Sequence, residues 1–312
     1  MIVTGNPHAF GGPWTDQKLG ILREYLTAYT TALSKTKFKK GYIDAFAGTG
    51  QRESSADAKL RKSRRLQHER GRAQPELPDV IDSAEGDDEP VQRFLDGSAR
   101  VALQCIPAFD RYVFIEKKSA RCRELEQLKS DFPEMAEKIL IRQGDANTRI
   151  LEMCNKNWKR NRAVLFLDPY GTQVRWKTIE AIAKTKAIDL WVLFPLGPVN
   201  RMLTQSGEIP QEWRECLNEL LGTKDWYDHF YQISQDETLF GKHTRLVKAG
   251  REAISKYFLD RLRTCFAGVA PNPAVLYNSK NSPLYLLCFA AGNQTGAPIA
   301  LDIATHILKM GS

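Results

Sequence analysis

Apolar residues recur at three- and four-residue spacing through Leu19, Leu22, Leu26 and Tyr29. This period predicts an amphipathic helix over 15–33, with Thr15 placed to cap its start. Further along, the period changes. Short, nearly continuous apolar runs occur at 41–46 (GYIDAF), 111–116 (RYVFIE), 138–143 (KILIRQ), 163–167 (AVLFL) and 188–194 (IDLWVLF). Runs of this kind read as strands buried on both faces. Helix-length segments lie between them, at 98–103, 119–130, 148–157 and 176–186. Such alternation predicts an open, mostly parallel α/β sheet with right-handed crossovers and helices on both faces. After Pro195 the pattern shifts to a helical elaboration over 195–266, with helices at 211–221 and 244–266. Two apolar runs follow, at 274–277 and 284–291, joined by a connection that permits only an antiparallel hairpin. A helix over 300–309 ends the pattern.

Residues 51–96 interrupt the alternation. Lys59–Arg72 carries seven cations and one anion, and 73–96 carries eight anions and one cation, with no sustained apolar face in either half. The segment reads as a mobile, self-compensating insert in a single domain made of 1–50 and 97–312. Its sharper alternative is a lid whose basic arm grips phosphates.

Composition narrows the class. A hydrophobic share of 42% and a charged share of 26% fit a globular protein and exclude fibrous and wholly disordered chains. The most apolar stretch, 284–291, has the length of a strand and not of a membrane span, so no membrane association is expected. The first residues show no basic-then-apolar leader. Six cysteines without CxxC spacing and five scattered histidines predict no metal site, and reduced thiols suit a cytoplasmic protein. A net charge of +8 hints at a polyanionic partner.

The candidate chemistry sits where the apolar runs end. Asp44-Ala45-Phe46-Ala47-Gly48-Thr49-Gly50 places a glycine turn after the first strand, where backbone can approach a ligand closely. Nucleotide-binding sheets carry an acid about 20 residues past such a turn, at the end of the next strand. Glu116 lies 66 residues past Gly50, and 20 once the 46 residues of the insert are set aside. The third strand ends in Gly144-Asp145-Ala146-Asn147, where an acid or amide can bond an adenine amino group and Asn147 can cap the following helix. The fourth ends in Asp168-Pro169-Tyr170-Gly171. There an acid and a nearby carbonyl can accept an amine's hydrogens while an aromatic ring stacks on a planar substrate. Arg175, Trp176, Asn200 and Arg201 follow the fourth and fifth strands as candidate groove residues. The aromatic group Trp226, Tyr227, Phe230 and Tyr231 reads as core.

These strand ends, in this order, resemble the Rossmann-like class I S-adenosylmethionine-dependent methyltransferases. Trp14-Thr15, Lys18-Leu19, Ile21-Leu22 and Tyr25-Leu26, followed by YIDAFAGTG, Gly97-Ser98-Ala99, YVFIE, GDAN and LDPYG, resemble the three-Cys-motif partner family, TcmP. The resemblance implies S-adenosylmethionine as cofactor, held by Lys18, Asp44, Phe46, Gly48, Gly50, Glu116, Asp145 and Ala146. It implies a three-Cys-motif protein of the radical-S-adenosylmethionine type as partner. The Asp-Pro-aromatic strand end and the basic charge add the expectation that Asp168, Pro169 and Tyr170 place a substrate amine, with DNA or RNA as substrate. The single proline before Tyr170 departs from the Asp/Asn-Pro-Pro-aromatic pattern of aminomethyltransferases. A catalytically inert interaction subunit is the alternative reading. A dinucleotide oxidoreductase is disfavoured by the terminal hairpin and the DPYG strand end.

Overall fold

The computed structural model describes residues 12–48, 97–238, 241–278 and 280–310. Gly50, the charged insert 51–96 and its basic arm lie outside the described residues. In chain order the elements are α1 (Gly12–Ala32), β1 (Lys39–Asp44), α2 (Ser98–Leu103), β2 (Arg111–Glu116), α3 (Ser119–Asp131), a 3-10 turn (Pro133–Lys138), β3 (Ile139–Gln143), α4 (Ala146–Cys154), β4 (Asn161–Leu167), α5 (Trp176–Lys184) and β5 (Ile188–Phe194). There follow α6 (Leu196–Met202), α7 (Gln211–Leu221), α8 (Trp226–Phe230), β6 (Tyr231–Thr238), β7 (Gly241–Lys248), α9 (Arg251–Arg263), β8 (Gly268–Val269), β9 (Ala274–Tyr277), β10 (Pro283–Ala291) and α10 (Ala297–Met310).

The main sheet runs β3-β2-β1-β4-β5-β10-β8, with β9 also pairing β10. The first five strands are parallel and β10 is antiparallel to β5. This is a Rossmann-like, mostly parallel sheet with a C-terminal antiparallel hairpin, as the apolar runs predict. One detail is new: the hairpin partner β9 pairs the first half of β10, and β8 pairs its last two residues.

Alternate residues of each strand enter opposite layers. Ile43, Ile115, Leu165, Val192 and Cys288 face one side, where α4, α5, α7 and α9 supply Ile150, Ile179, Leu217 and Phe258. Tyr42, Phe114, Phe166, Trp191 and Phe289 face the other, under α1, α2, α3 and α10. The group Trp226, Phe230 and Tyr231 is buried in the first layer, and Tyr227 packs against it, so the core reading of that group holds.

Several expectations need correction. The helix expected over 244–266 is strand β7 followed by α9, separated at Gly250, so the elaboration is part hairpin. Its pattern misleads because β6 and β7 form a separate two-stranded ribbon, apart from the main sheet, with Ile233 and Val247 exposed. Helix α1 begins at Gly12, so Thr15 lies inside its first turns and does not cap it. The 3-10 turn takes Lys138 from the third strand.

A buried carboxylate ties α1 and β10 to β5. Asp189 accepts from the Tyr25 hydroxyl at 3.0 Å and from the Gly292 N–H at 2.9 Å. Gly292 must be glycine: a Cβ there would lie 2.2 Å from the Ile188 carbonyl oxygen. Burial pushes the Asp189 carboxyl up to about 6, against the two hydrogen bonds and Arg162, which pull it down. Between about pH 4, where the unfolded chain releases this proton, and about pH 6, the folded state binds it more tightly. Folding stability from this group therefore falls as pH rises through that window, and a cost of about 3 kcal/mol stands above it. Asp189→Asn can keep both bonds, with the amide oxygen accepting from Gly292 and the NH2 donating to Tyr25. Thermal unfolding should show the variant gaining in Tm on wild type from pH 4 to pH 7; a gap that does not change with pH would refute this.

Candidate active site

In this strand order β1 lies between β2 and β4, whose crossovers depart on opposite sides, and open α/β sheets bind ligands at that switch point. Register aligns the acids. Asp44 is level with Phe114 of β2 and Phe166 of β4, and Glu116 is level with Gln143 of β3. Asp44, Glu116, Asp145 and Asp168 therefore share the carboxyl edge. Past β1, the Ala45 N–H donates to the Phe166 carbonyl and the Ala47 N–H to the Ile115 carbonyl. The turn is thus anchored alternately to β4 and β2. Gly48 follows with φ +62°, a left-handed conformation that favours glycine, and with open space where a Cβ would stand.

Asp44 holds this turn. It is fully buried, accepts from the Ser98 hydroxyl at 2.5 Å and from the Phe46 N–H at 3.3 Å, and lies 3.4 Å from the Tyr42 hydroxyl. Burial raises its carboxyl to about 6; Asp168 pushes the same way, while Ser98, Phe46 and Lys18 oppose. Of the residues assigned to the cofactor, Asp44 and Phe46 thus build the turn from within.

Lys18 is held at the same carboxyl edge by a partner the sequence does not signal: its ammonium is 2.5 Å from Asp168 Oδ2. The residue is 4% exposed, with the Trp14 ring centroid 4.9 Å from Nζ and that of Phe166 6.0 Å away. One turn earlier on α1, the Thr15 hydroxyl is buried with no hydrogen-bond partner among the described residues.

Glu116 is 8% exposed. Its Oε1 accepts from the Lys118 N–H at 2.8 Å, and Oε2 lies 3.9 Å from the Arg121 guanidinium. Its backbone carbonyl accepts from Gly144 N–H, which draws the ends of β2 and β3 together. Asp145, not Asn147, caps α4: its Oδ1 accepts from the Thr148 N–H at 3.1 Å and is 3.2 Å from the Thr148 hydroxyl. Ala146 is buried beneath it. Asn147 has a structural task. Its amide donates to the Gln173 carbonyl and accepts from the Arg175 N–H and the Thr178 hydroxyl, pinning the loop after β4. No amide remains there for an adenine.

That loop carries the amine-placing candidates. Pro169 is buried, and Tyr170 is 66% exposed with its ring free to meet a substrate. Sequence reasoning missed Tyr285 and Trp14, whose rings lie 5.5 Å apart beside this loop. The Tyr285 hydroxyl is pushed up to about 12 by burial and then by Asp168 and Tyr170, with Arg201 opposing. No local motif signals Tyr285, because β10 reaches the site only through its place beside β5. Arg201 therefore belongs near the site. Trp176 is 2% exposed in the core, Arg175 pairs with Glu219 at 3.2 Å, and the Asn200 carbonyl accepts from Lys248. Among the described residues no group of three His, Cys, Asp or Glu side chains is placed to hold a metal, and no helix is long and apolar enough to cross a membrane.

No protein-family model matches the chain, and no curated protein matches it. Solved structures do resemble it. A Legionella pneumophila protein of family model DUF519 is 14% identical, covers 96% of this chain and 93% of its own, and has a TM-score of 0.48. The CcbJ methyltransferase from Streptomyces caelestis is 8% identical over 92% of this chain and all of its own, at 0.38. The magnesium protoporphyrin IX methyltransferase ChlM from Synechocystis, with bound S-adenosylhomocysteine, is 11% identical over 79% and 90%, at 0.31.

Lys18 is the cation set against Asp168 and Asp44. Removing one member of a buried pair costs roughly 3–5 kcal/mol, and less where one partner meets solvent. The Asp168 side chain is 26% exposed. Lys18→Met should therefore destabilise by about 1–3 kcal/mol in urea unfolding. The double variant Lys18→Met/Asp168→Asn should recover most of that loss. Additive losses would show that the two side chains act separately.

Proposed function

We propose that this chain is an S-adenosylmethionine-dependent N-methyltransferase acting on an exocyclic amine of a nucleic-acid base, in company with a three-Cys-motif protein. One observation carries the reading: at the switch-point edge, the Asp168 carboxylate already accepts hydrogens from an amine-type nitrogen, that of Lys18. A substrate amine needs the same acceptor to aim its lone pair. The partner and the nucleic-acid substrate rest on the motif resemblance and on the basic charge of the chain.

The residues at the edge fit the cofactor. Glu116 has carboxylate capacity beyond its single backbone donor, the Thr15 hydroxyl lacks a partner among the described residues, and Gly48 leaves open space beside the turn. Glu116 would take the ribose hydroxyls, and Gly48 would let backbone approach. When bound, S-adenosylmethionine supplies an electrophilic methyl on a sulfonium. The protein's own contribution is placement and charge. Asp168 orients the amine and stabilises the positive charge that develops on its nitrogen. Tyr170 supplies a ring for base stacking. Lys18 keeps Asp168 in place and yields one of its oxygens to the substrate.

The same ion pair favours a second reading. A lysine on the amine acceptor, together with the single proline of DPYG, suits a nucleotide-binding interaction subunit without turnover.

Calorimetry and radiolabelled methyl transfer separate these readings. Glu116→Ala should weaken S-adenosylmethionine binding roughly tenfold or more, through loss of charge-assisted bonds of about 1.5–3 kcal/mol each. Asp168→Ala should keep cofactor affinity within a few fold and abolish methylation of oligonucleotides. Tight cofactor binding by wild type with no transfer, even with the partner present, would select the interaction subunit.

A further inference from the structure

The opposite edge of the sheet carries a second polar concavity. It lies at the amino ends of β4 and β5, far along both strands from the carboxyl-edge acids. Its volume is about 420 Å³. The two segments that form it, 155–162 (NKNWKRNR) and 184–187 (KTKA), contain six cations and no acid. Lys156, Lys159, Lys184 and Lys186 are exposed around it. Among the described residues none of the four is ion-paired with a carboxylate. Arg162 forms the floor, with its guanidinium 3.8 Å from the Phe38 ring centroid and NH1 donating to the Asn161 carbonyl at 2.8 Å. Trp158, half-buried with part of its ring against the core, lines one side. Its Nε1 donates to the Met153 carbonyl at 3.1 Å, which fixes the indole in place.

We infer that this groove binds the sugar–phosphate backbone of a single-stranded nucleic-acid segment, with one base against Trp158. Four lysines without acidic partners among the described residues form a phosphate track. A fixed aromatic face beside such a track is what sequence-tolerant single-strand binders use for stacking. A duplex offers no unstacked base to that ring. The volume falls within the range of small-ligand sites and suits one nucleotide unit. The groove is separate from the methyl-transfer edge and stands whether or not that edge is catalytically active.

Fluorescence anisotropy of the full chain with a labelled single-stranded DNA of about 20 nucleotides tests this. The groove variant is Lys156→Glu/Lys159→Glu/Lys186→Glu. The control, Lys224→Glu/Lys280→Glu/Lys309→Glu, makes the same change in net charge at exposed lysines elsewhere. Thermal unfolding confirms that both are folded. The groove variant should lose at least roughly tenfold in affinity, and its log-affinity against log-salt slope should shrink by about 2, three contacts at about 0.7 each. At about 0.15 M salt, where screening sets in over about 8 Å, the control should move affinity by less than about threefold, because its three lysines do not line the groove. Equal losses in both variants, or no binding by wild type at low salt, would overturn the inference. Binding to phosphatidylserine vesicles without binding to the oligonucleotide would overturn it too. The assay contains no S-adenosylmethionine, so an inert methyl site does not affect its outcome.

Discussion

Four neighbouring parallel strands, β2, β1, β4 and β5, that are apolar on both faces leave the protein one way to be stable: helices must cover both sides, and polar chemistry is pushed to the ends of the strands. Everything functional follows from that confinement. Tyr42 and Ile43, neighbours in sequence, enter opposite layers, and the same holds for Phe166 and Leu167 and for Trp191 and Val192. No room remains on either face for a charged site. The carboxyl edge collects Asp44, Glu116, Asp145 and Asp168; the amino ends of β4 and β5 collect cations. Each end of the strands thus has its own candidate ligand.

At the carboxyl edge the balance of charge is local. Asp168 adds to the cost of ionising Asp44, and Lys18, paired with Asp168 from α1, works against it. Asp44 is shielded by Ser98 and the turn, so its proton affinity is set mainly by burial. Asp168 keeps partial contact with solvent and can exchange partners. One acid thus builds the turn while its neighbour is left available, a division of labour produced by a difference in exposure.

Much of this was legible in the sequence. The apolar runs gave strands β1, β2, β4 and β5 because their neighbours on both faces are helices, so burial is unbroken along them. The strand-end acids were legible because register places every strand terminus on one edge. Three features were not. The ribbon β6–β7 is a separate two-stranded sheet that touches the first layer through Tyr231 and Leu246 while Ile233 and Val247 are exposed, so no strand-length buried run marks it, and Thr244 onward looked like helix. The Lys18–Asp168 pair joins residues 150 apart in sequence, and no local pattern reports it. At the end of β3 two side chains could cap the same helix; Asp145 does so because Asn147 is turned inward to hold the loop after β4.

The insert departs after the Gly48 turn and returns at Gly97, next to the serine that clamps Asp44. Both described flanks, Gly48 and Ser98, therefore belong to the site and not to a remote part of the sheet. Loop-closure entropy grows only with the logarithm of loop length, about 0.6 kcal/mol for each doubling. The chain between these ends can lengthen or shorten across relatives at little thermodynamic cost while the strands on either side keep their register. A change of length between β1 and α2 therefore weighs little on the fold, and the strands on either side keep the register that lines up the acids.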